Sequence, residues 1–341
     1  MTQDNKTKKV KKSGKIRVDF ERTSGWTRFK LKYLSINFLG KMIWFIFRLV
    51  LLFGVSYVIL FPFFSKISSS FMSPEDFVDV TVKLIPKHPT LNTYKQIIIE
   101  NSYFKSLFNT VVLSISCALI QTFMCCMIGY GFAKYKFKGS GILFALVMFT
   151  MIVPHQTLKL SMFMKFRYFD FGLGEFGIFS SLGMKTIELT NTYWPLIILS
   201  LGGLAFKNGL YIFMMRQFFR NVPDELEESA YIDGCGVFKT FLTIILPLSI
   251  PMMITIFLFA FSWQWTDNFY TQTFFIGKTV YTMPKIVTIP STLDVDYAGG
   301  PLFSAAIRNT AGLVVLAPLI IIYLFCQRYL IQGIERSGIT G

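Results

Sequence analysis

Residues 222–251 read VPDELEESAYIDGCGVFKTFLTIILPLSIP, and the rest of the chain is organised around them. Pro223 followed by Asp224, Glu225, Glu227 and Glu228 signals a helix start. Proline fits the first turn, and carboxylates there complement the positive end of the helix dipole. Gly234 and Gly236 end that helix or bend the chain. A wholly apolar run begins at once, with Pro247 and Pro251 inside it. An acidic helix fastened to an apolar segment of membrane length is foreign to a globular core.

The composition around it agrees. The 341 residues are 53% hydrophobic and 16% charged, and 38 of them are Phe. Soluble chains carry roughly 25% charge. The charge is also clustered, which leaves long apolar windows and sets the chain in the membrane class. The net charge is +15. Much of it lies between Lys6 and Lys41, ahead of the first apolar run. A basic end beside anionic lipid accounts for it without nucleic acid. That end is too long and too charged for an ordinary signal peptide. Residues 26–39 mix apolar and basic side chains, as in a helix lying on a membrane surface; a disordered basic tail is the alternative reading. Cys117, Cys125, Cys126, Cys235 and Cys326 lack metal-ligand spacing and read as small apolar residues.

Six apolar segments follow in order, at about 20 residues per crossing. They are 43–64, 106–132, 139–158 (broken late by Pro154), 193–215, 241–263 and 305–325. These runs are too long for membrane strands, so the expected fold is an all-α bundle of six transmembrane helices. The short basic stretches 134–138 and 216–239 fall on the same side as both termini, which makes that side the cytoplasm. Loops 65–105, 159–192 and 264–302 lie outside, and a short surface helix is expected around 91–103. The expected organisation is a basic segment 1–41, a first span and outer loop 42–105, a core 106–330 with a cytoplasmic loop at 220–240, and a tail 331–341. Arg48 reads as a snorkelling anchor near the inner end of its span. Asn109, Gln121 and Gln264 are polar groups within or at the ends of spans. Such groups face protein or a water-filled path, so they are candidates for translocation-path contacts as well as for structural hydrogen bonds.

The opening loop is therefore expected in the cytoplasm between spans four and five. Tyr231, Ile232, Val237 and Phe238 beside its acids suit docking to a partner, with apolar anchors and orienting charges. A helix that packs only on its own bundle is the other reading.

That stretch resembles the signature loop of the membrane subunits of binding-protein-dependent ABC importers. The family pattern is Glu-Ala-Ala, three residues, Gly, nine residues, Ile, one residue, Leu-Pro. Glu228, Ser229 and Ala230 occupy the first positions, Gly234 the glycine, Ile244 the isoleucine, and Leu246 and Pro247 the end. Ser229 in place of alanine is the one departure. Over residues 100–341 the chain is similar to the carbohydrate-uptake branch, in particular to the second membrane subunit of the maltose permease. Asn109–Thr110, Tyr130 to Lys134, Phe137 to Gly139, Pro154, Gln156, Arg216 to Phe219, and the tail from Gln327 to Gly341 carry that similarity.

The resemblance implies a type I ABC importer permease fold in the inner, or cytoplasmic, cell membrane. The implied partners are a homologous six-helix permease subunit forming a heterodimer, two cytoplasmic ABC ATPase subunits and an extracellular solute-binding protein, a lipoprotein where the cell has a single membrane. The chain itself would bind no cofactor. ATP and Mg would sit on the ATPases, since no glycine-rich phosphate loop with Lys and Ser/Thr occurs here. Glu228, Ser229, Ala230, Asp233 and Gly234 would form the coupling helix, and Ile244, Leu246 and Pro247 would pass its movement to span five. The cargo implied is a sugar or oligosaccharide. Another small solute, an ion-driven carrier and a membrane scaffold are the alternatives; the ion-driven carrier would want a mid-span carboxylate, and none stands out.

Overall fold

The structure, a computed structural model, describes residues 36–170, 177, 182–183, 185–277 and 280–336. Most of the basic N-terminal segment with its expected surface helix, Gly172 and Gly174 of the loop expected outside, and the tail from Ser337 onward lie outside the described residues. The chain falls into two compact units, Met1–Phe64 and Ser65–Gly341.

Helix α1, Ile36–Ser69, carries the first unit and runs into the second. From Met42 to Phe64 it is apolar on nearly every face, as lipid demands. The Arg48 guanidinium lies 5.9 Å from the Trp44 ring centroid, so the one cation of this stretch rests on an aromatic face of its own helix.

In the second unit, the short α2, Asn92–Glu100, falls where a surface helix is expected. Then come α3 (Tyr103–Lys134), α4 (Ser140–Ile152), α5 (Lys159–Arg167), α6 (Trp194–Leu201), α7 (Asn208–Arg220) and α8 (Glu225–Ile232). The long helix α9 (Val237–Trp265), the short α10 (Phe269–Phe274) and α11 (Gly300–Arg336) complete it. Helix α3 is the centre. Its buried positions run Ser106, Thr110, Leu113, Ser114, Cys117, Ala118, Gln121, Thr122, Cys125, Cys126, Gly129 and Tyr130, an unbroken three- and four-residue spacing. Most are small, which lets α7 and α9 approach closely. Cys117, Cys125 and Cys126 are fully buried on this face, as small apolar residues should be. At the crossing of α3 and α7, a Cβ added to Gly129 would stand 2.5 Å from Met215 Cβ and 3.0 Å from the Arg216 backbone nitrogen. The indole of Trp265, fully buried at the end of α9, donates to the Val315 carbonyl of α11 at 2.9 Å.

The loop after α10 is pinned across the ends of α2 and α3. Asn101 donates to the carbonyls of Ile286 (2.8 Å) and Thr288 (3.0 Å), and the Glu100 carboxylate accepts from Ser291 and Thr292. The hydroxyl of Thr292 is the main cause that holds Glu100 below the usual carboxylate range.

Among the described residues, four helices are long and apolar enough to cross a membrane: Gly40–Ser69, Tyr103–Lys134, Val237–Trp265 and Gly300–Tyr329. Two expected spans differ in form. The third is a bent pair: α4 stops at Ile152, Pro154 follows, and the chain turns by 95° into His155–Arg167. Proline disfavours helix in the residue before it, and Val153 is accordingly extended. The fourth is not continuous. Residues 202–207 separate α6 from α7, where Gly203 (φ 66°) and Lys207 (φ 67°) both take the left-handed backbone that no helix can continue through.

Candidate functional site

Helix α8 is eight residues long, too short to be stable alone, and it is held at both ends. At its start the Asp224 carbonyl accepts from the amides of Glu227 and Glu228, each at 3.0 Å. At its end Gly234 turns left-handed at φ 75°. The Cys235 amide then reaches back to the Ala230 carbonyl (2.9 Å) and the Gly234 amide to Tyr231 (3.1 Å), which satisfies carbonyls the helix would leave open. The Asp233 amide closes on Ser229 at 3.0 Å. Nothing stands within 4 Å of a Cβ built on Gly234. Within this chain the glycine is therefore required by backbone conformation, not by a close neighbour.

The helix is fastened to the bundle through Glu227, a residue the spacing pattern passes over. Glu227 and Ala230 stand three apart on one face and both are buried. The Tyr130 hydroxyl of α3 donates to Glu227 Oε2 at 3.1 Å. The Lys134 ammonium, itself almost fully buried, lies 3.7 Å from Glu227 Oε1 and 2.5 Å from Asp224 Oδ1, and donates to the Val222 carbonyl at 2.6 Å. The exposed Asp224 carboxyl is held below its ordinary range chiefly by the hydrogen bond from Lys134. Tyr130 also packs against Phe219 at the end of α7 (centroids 5.4 Å) and Phe241 at the start of α9 (5.0 Å). One ring thus joins the ends of α3 and α7, the loop helix and the following span.

Above this anchor the loop presents an open surface. Glu228 and Ser229 are exposed, and Ile232 and Phe238 are 86% and 70% exposed. The Ser229 hydroxyl turns back to the Leu226 carbonyl at 3.1 Å, so the serine at this position satisfies itself within the helix. Beyond Gly236 the helix resumes and widens into one π turn, Phe241–Ile245, immediately before Pro247. Pro247 offers no amide, and its ring crowds the carbonyl four residues back, which is Thr243; widening the preceding turn relieves that clash. Ile244 is half-buried, Leu246 likewise, and Pro247 is exposed.

The polar span residues have mostly structural partners. Asn109 donates to the Tyr281 carbonyl at 3.0 Å, pinning the loop after α10. Gln121 is buried and reaches the Ser200 hydroxyl at 3.4 Å, linking α3 to α6. Gln264 is half-buried at the end of α9. After it, Asp267 caps α10 by accepting from the Tyr270 and Thr271 amides at 3.2 and 3.0 Å, while burial pushes its pKa up. The sequence pattern contains Tyr130 and Lys134 without assigning them a role, and it gives no role to Glu227. Their joint signal, a phenol and an ammonium one helical turn apart facing distant acids, is visible only once the fold brings them together.

An all-helical bundle with four or more membrane-length helices and an anchored, capped loop helix defines a multi-pass membrane protein built around a projecting element. The chain belongs to the family of binding-protein-dependent transport system inner membrane components, whose pattern matches residues 126–336. It is similar to the polygalacturonan/rhamnogalacturonan transport system permease protein YtcP of Bacillus subtilis (strain 168), with 27% identity over 289 residues, covering 82% of this chain and 92% of that protein. It is also similar to the arabinooligosaccharides transport system permease protein AraQ of the same organism, with 28% identity over 291 residues, 84% of this chain and 92% of the other. In fold it resembles a chain in the crystal structure of a bacterial ABC transporter involved in the import of the acidic polysaccharide alginate. There the TM-score is 0.64 and the identity 20%, over 85% of this chain and 97% of that one.

Proposed function

We propose that this chain is one membrane half of an ATP-driven importer of oligosaccharides, and that α8 is the element that docks to a cytoplasmic ATPase. The observation that carries the reading is the anchored loop helix. Lys134 and Tyr130 hold its Glu227 face, while Ile232 and Phe238 project away from the bundle. Apolar tips on a fixed base suit insertion into a groove of a partner. A partner that changes state can then move α9 through Tyr130, Phe241 and the π turn, which is how a distant two-state element drives alternating access. In this reading Glu228 binds a basic or amide group of the ATPase, and Ile244, Leu246 and Pro247 transmit its motion.

The reading counts six spans, with α4–α5 as a bent third and α6–α7 as a broken fourth, and both termini in the cytoplasm. It gives the chain a second, homologous permease subunit, two ATPases that hold ATP and Mg, and an external solute-binding protein, all at the cytoplasmic membrane. The carbohydrate cargo is supported by the names of the polygalacturonan and arabinooligosaccharide permeases to which the chain is similar.

Two substitutions test the docking role. Glu228→Lys reverses an exposed charge and leaves the fold intact, so the chain should insert normally while the co-purifying ATPase and uptake both fall. Ala230→Pro breaks the helix interior, at a cost of about 3 kcal/mol, and should be at least as severe. Membrane yield, ATPase retained on the tagged chain and uptake are the measurements. Wild-type retention and uptake in both variants would sink the assignment.

A further inference from the structure

The gap between α6 and α7 has features that hydrogen bonding and packing leave unexplained. It borders a cavity of about 850 Å³ walled by α4, α5 and residues 198–210. That is within the roughly 300–1,000 Å³ of small-molecule sites. Asn208, the first residue of α7, lines the cavity and is only 1% exposed. Neither its Nδ2 nor its Oδ1 has a hydrogen-bond partner among the described residues. An amide left unpaired in an apolar setting costs about 1–3 kcal/mol, so the start of α7 is held where it is at a cost. Gly209 beside it cannot be filled, because a Cβ there would meet Thr150 Oγ1 at 2.8 Å and the Val147 carbonyl at 3.0 Å. The break is thus fixed against α4.

The charges at the gap have one sign. Lys207 lines the cavity, and among the described residues no carboxylate lies within 4.0 Å of its ammonium. Its Nζ stands 5.1 Å from the centroids of both Phe206 and Trp263. Trp263 is 46% exposed, unlike the buried Trp265. His155, also on the cavity wall, packs on Phe206 at 4.6 Å. The remaining cation of the lining, Lys165, donates to the Asp170 carbonyl at 3.2 Å. Helix α7 also begins here, so its positive end faces the same gap. A discontinuous span whose half-helix starts at a cavity is how membrane carriers hold anionic groups at mid-depth.

We infer that the α6–α7 break is a substrate-contact subsite for a uronic-acid unit, with Lys207 and the start of α7 receiving its carboxylate and the exposed Trp263 beside that ammonium offering a face to the sugar. This rests on the carbohydrate reading above and narrows it to acidic oligosaccharides.

The test uses the full transporter, with its partner permease, ATPases and binding protein, in proteoliposomes. Uptake of trigalacturonate is compared with that of uncharged galactotriose. The Lys207→Met variant should lower the ratio of the two about tenfold or more, the loss expected for one charge-assisted hydrogen bond, and Lys207→Arg should restore most of it. A second measurement is independent of turnover. Leu204→Cys adds a thiol on the cavity wall, and trigalacturonate should slow its alkylation by a maleimide relative to the parent chain. Adding Lys207→Met should remove that protection. An unchanged uptake ratio together with no protection would overturn the inference, giving the cavity to lipid or a neighbouring helix while leaving the carbohydrate reading standing. Transport of neither saccharide by the wild-type complex would overturn the carbohydrate reading, and the subsite with it.

Discussion

Lys134→Met is expected to release the ATPase from the permease while the membrane bundle survives. Methionine keeps most of the aliphatic stem and deletes the ammonium. Of the three oxygens that ammonium serves, two lose little. Asp224 is exposed and turns to water, and the Val222 carbonyl is one neutral acceptor. Glu227 is the exception. Its side chain is 11% exposed, and the Tyr130 and Tyr231 phenols beside it carry no charge to replace the ammonium. Removing one member of a buried pair leaves an uncompensated charge, at a cost of about 3 kcal/mol. Because α8 is marginal alone, that cost falls on its attachment and not on the core. ATPase co-purification should fall sharply, with little change in membrane yield. Asp224→Asn should do much less, since that carboxylate is solvated. Combining Lys134→Met with Glu227→Gln should recover part of the binding, because glutamine keeps an acceptor for Tyr130 and carries no charge to strand. Equal losses from Lys134→Met and Asp224→Asn would show that the Glu227 pair is not the fastening.

How much of this was legible in the sequence depends on how far apart the partners lie. The loop helix is local: its start and end signals are read between Pro223 and Gly234, and the structure has a helix there. The apolar runs 43–64, 106–132, 241–263 and 305–325 are also local, and each falls in a helix long enough to cross a membrane. Glu227 is different. Its phenol partner is 97 positions away, so no window on the sequence pairs them. The spacing pattern directs attention to Glu228, which is exposed and touches nothing in its own chain that would mark it. The break at 202–207 had a local signal in Gly202 and Gly203, but the surrounding apolar run outweighed it in a hydropathy reading. Membrane length is a sum over a window, and a sum does not register two left-handed residues. The bend after Pro154 was visible as an interruption, while its 95° turn depends on where α5 finds apolar contacts and could not be read from the proline alone. Asn109 and Gln121 are polar groups that need partners within an apolar run. Which partner each takes, a loop carbonyl and a neighbouring hydroxyl, is a property of the packed bundle.

The same distinction between pattern and packing gives the largest stability effect expected in the chain. Two glycines stand near the end of α3, Gly129 and Gly131. Gly131 belongs to the short motif shared with the carbohydrate permeases, and Gly129 does not. Packing reverses their importance. A Cβ at Gly131 meets nothing within 4 Å, whereas one at Gly129 would overlap Met215 Cβ at 2.5 Å and press on the Arg216 backbone at 3.0 Å. Met215 is fully buried and cannot swing away, and the backbone of α7 can yield only by moving the helix. Gly129→Ala should therefore destabilise by about 1–3 kcal/mol, the usual cost of overpacking a core. Gly129→Val adds two more carbons into the same crossing and should abolish assembly. Gly131→Ala should be neutral or stabilise slightly, since alanine is the better helix former by about 1 kcal/mol where space allows. Thermal unfolding of the detergent-purified complex measures all three. Parallel losses at the two positions would mean that α3 and α7 do not cross as closely as 2.5 Å implies. A loss confined to Gly129 would also explain why α8 can be governed from α3. Tyr130 is the next residue after this contact and Lys134 lies about one turn further on, so the crossing that fixes α7 fixes the anchor of the loop helix as well.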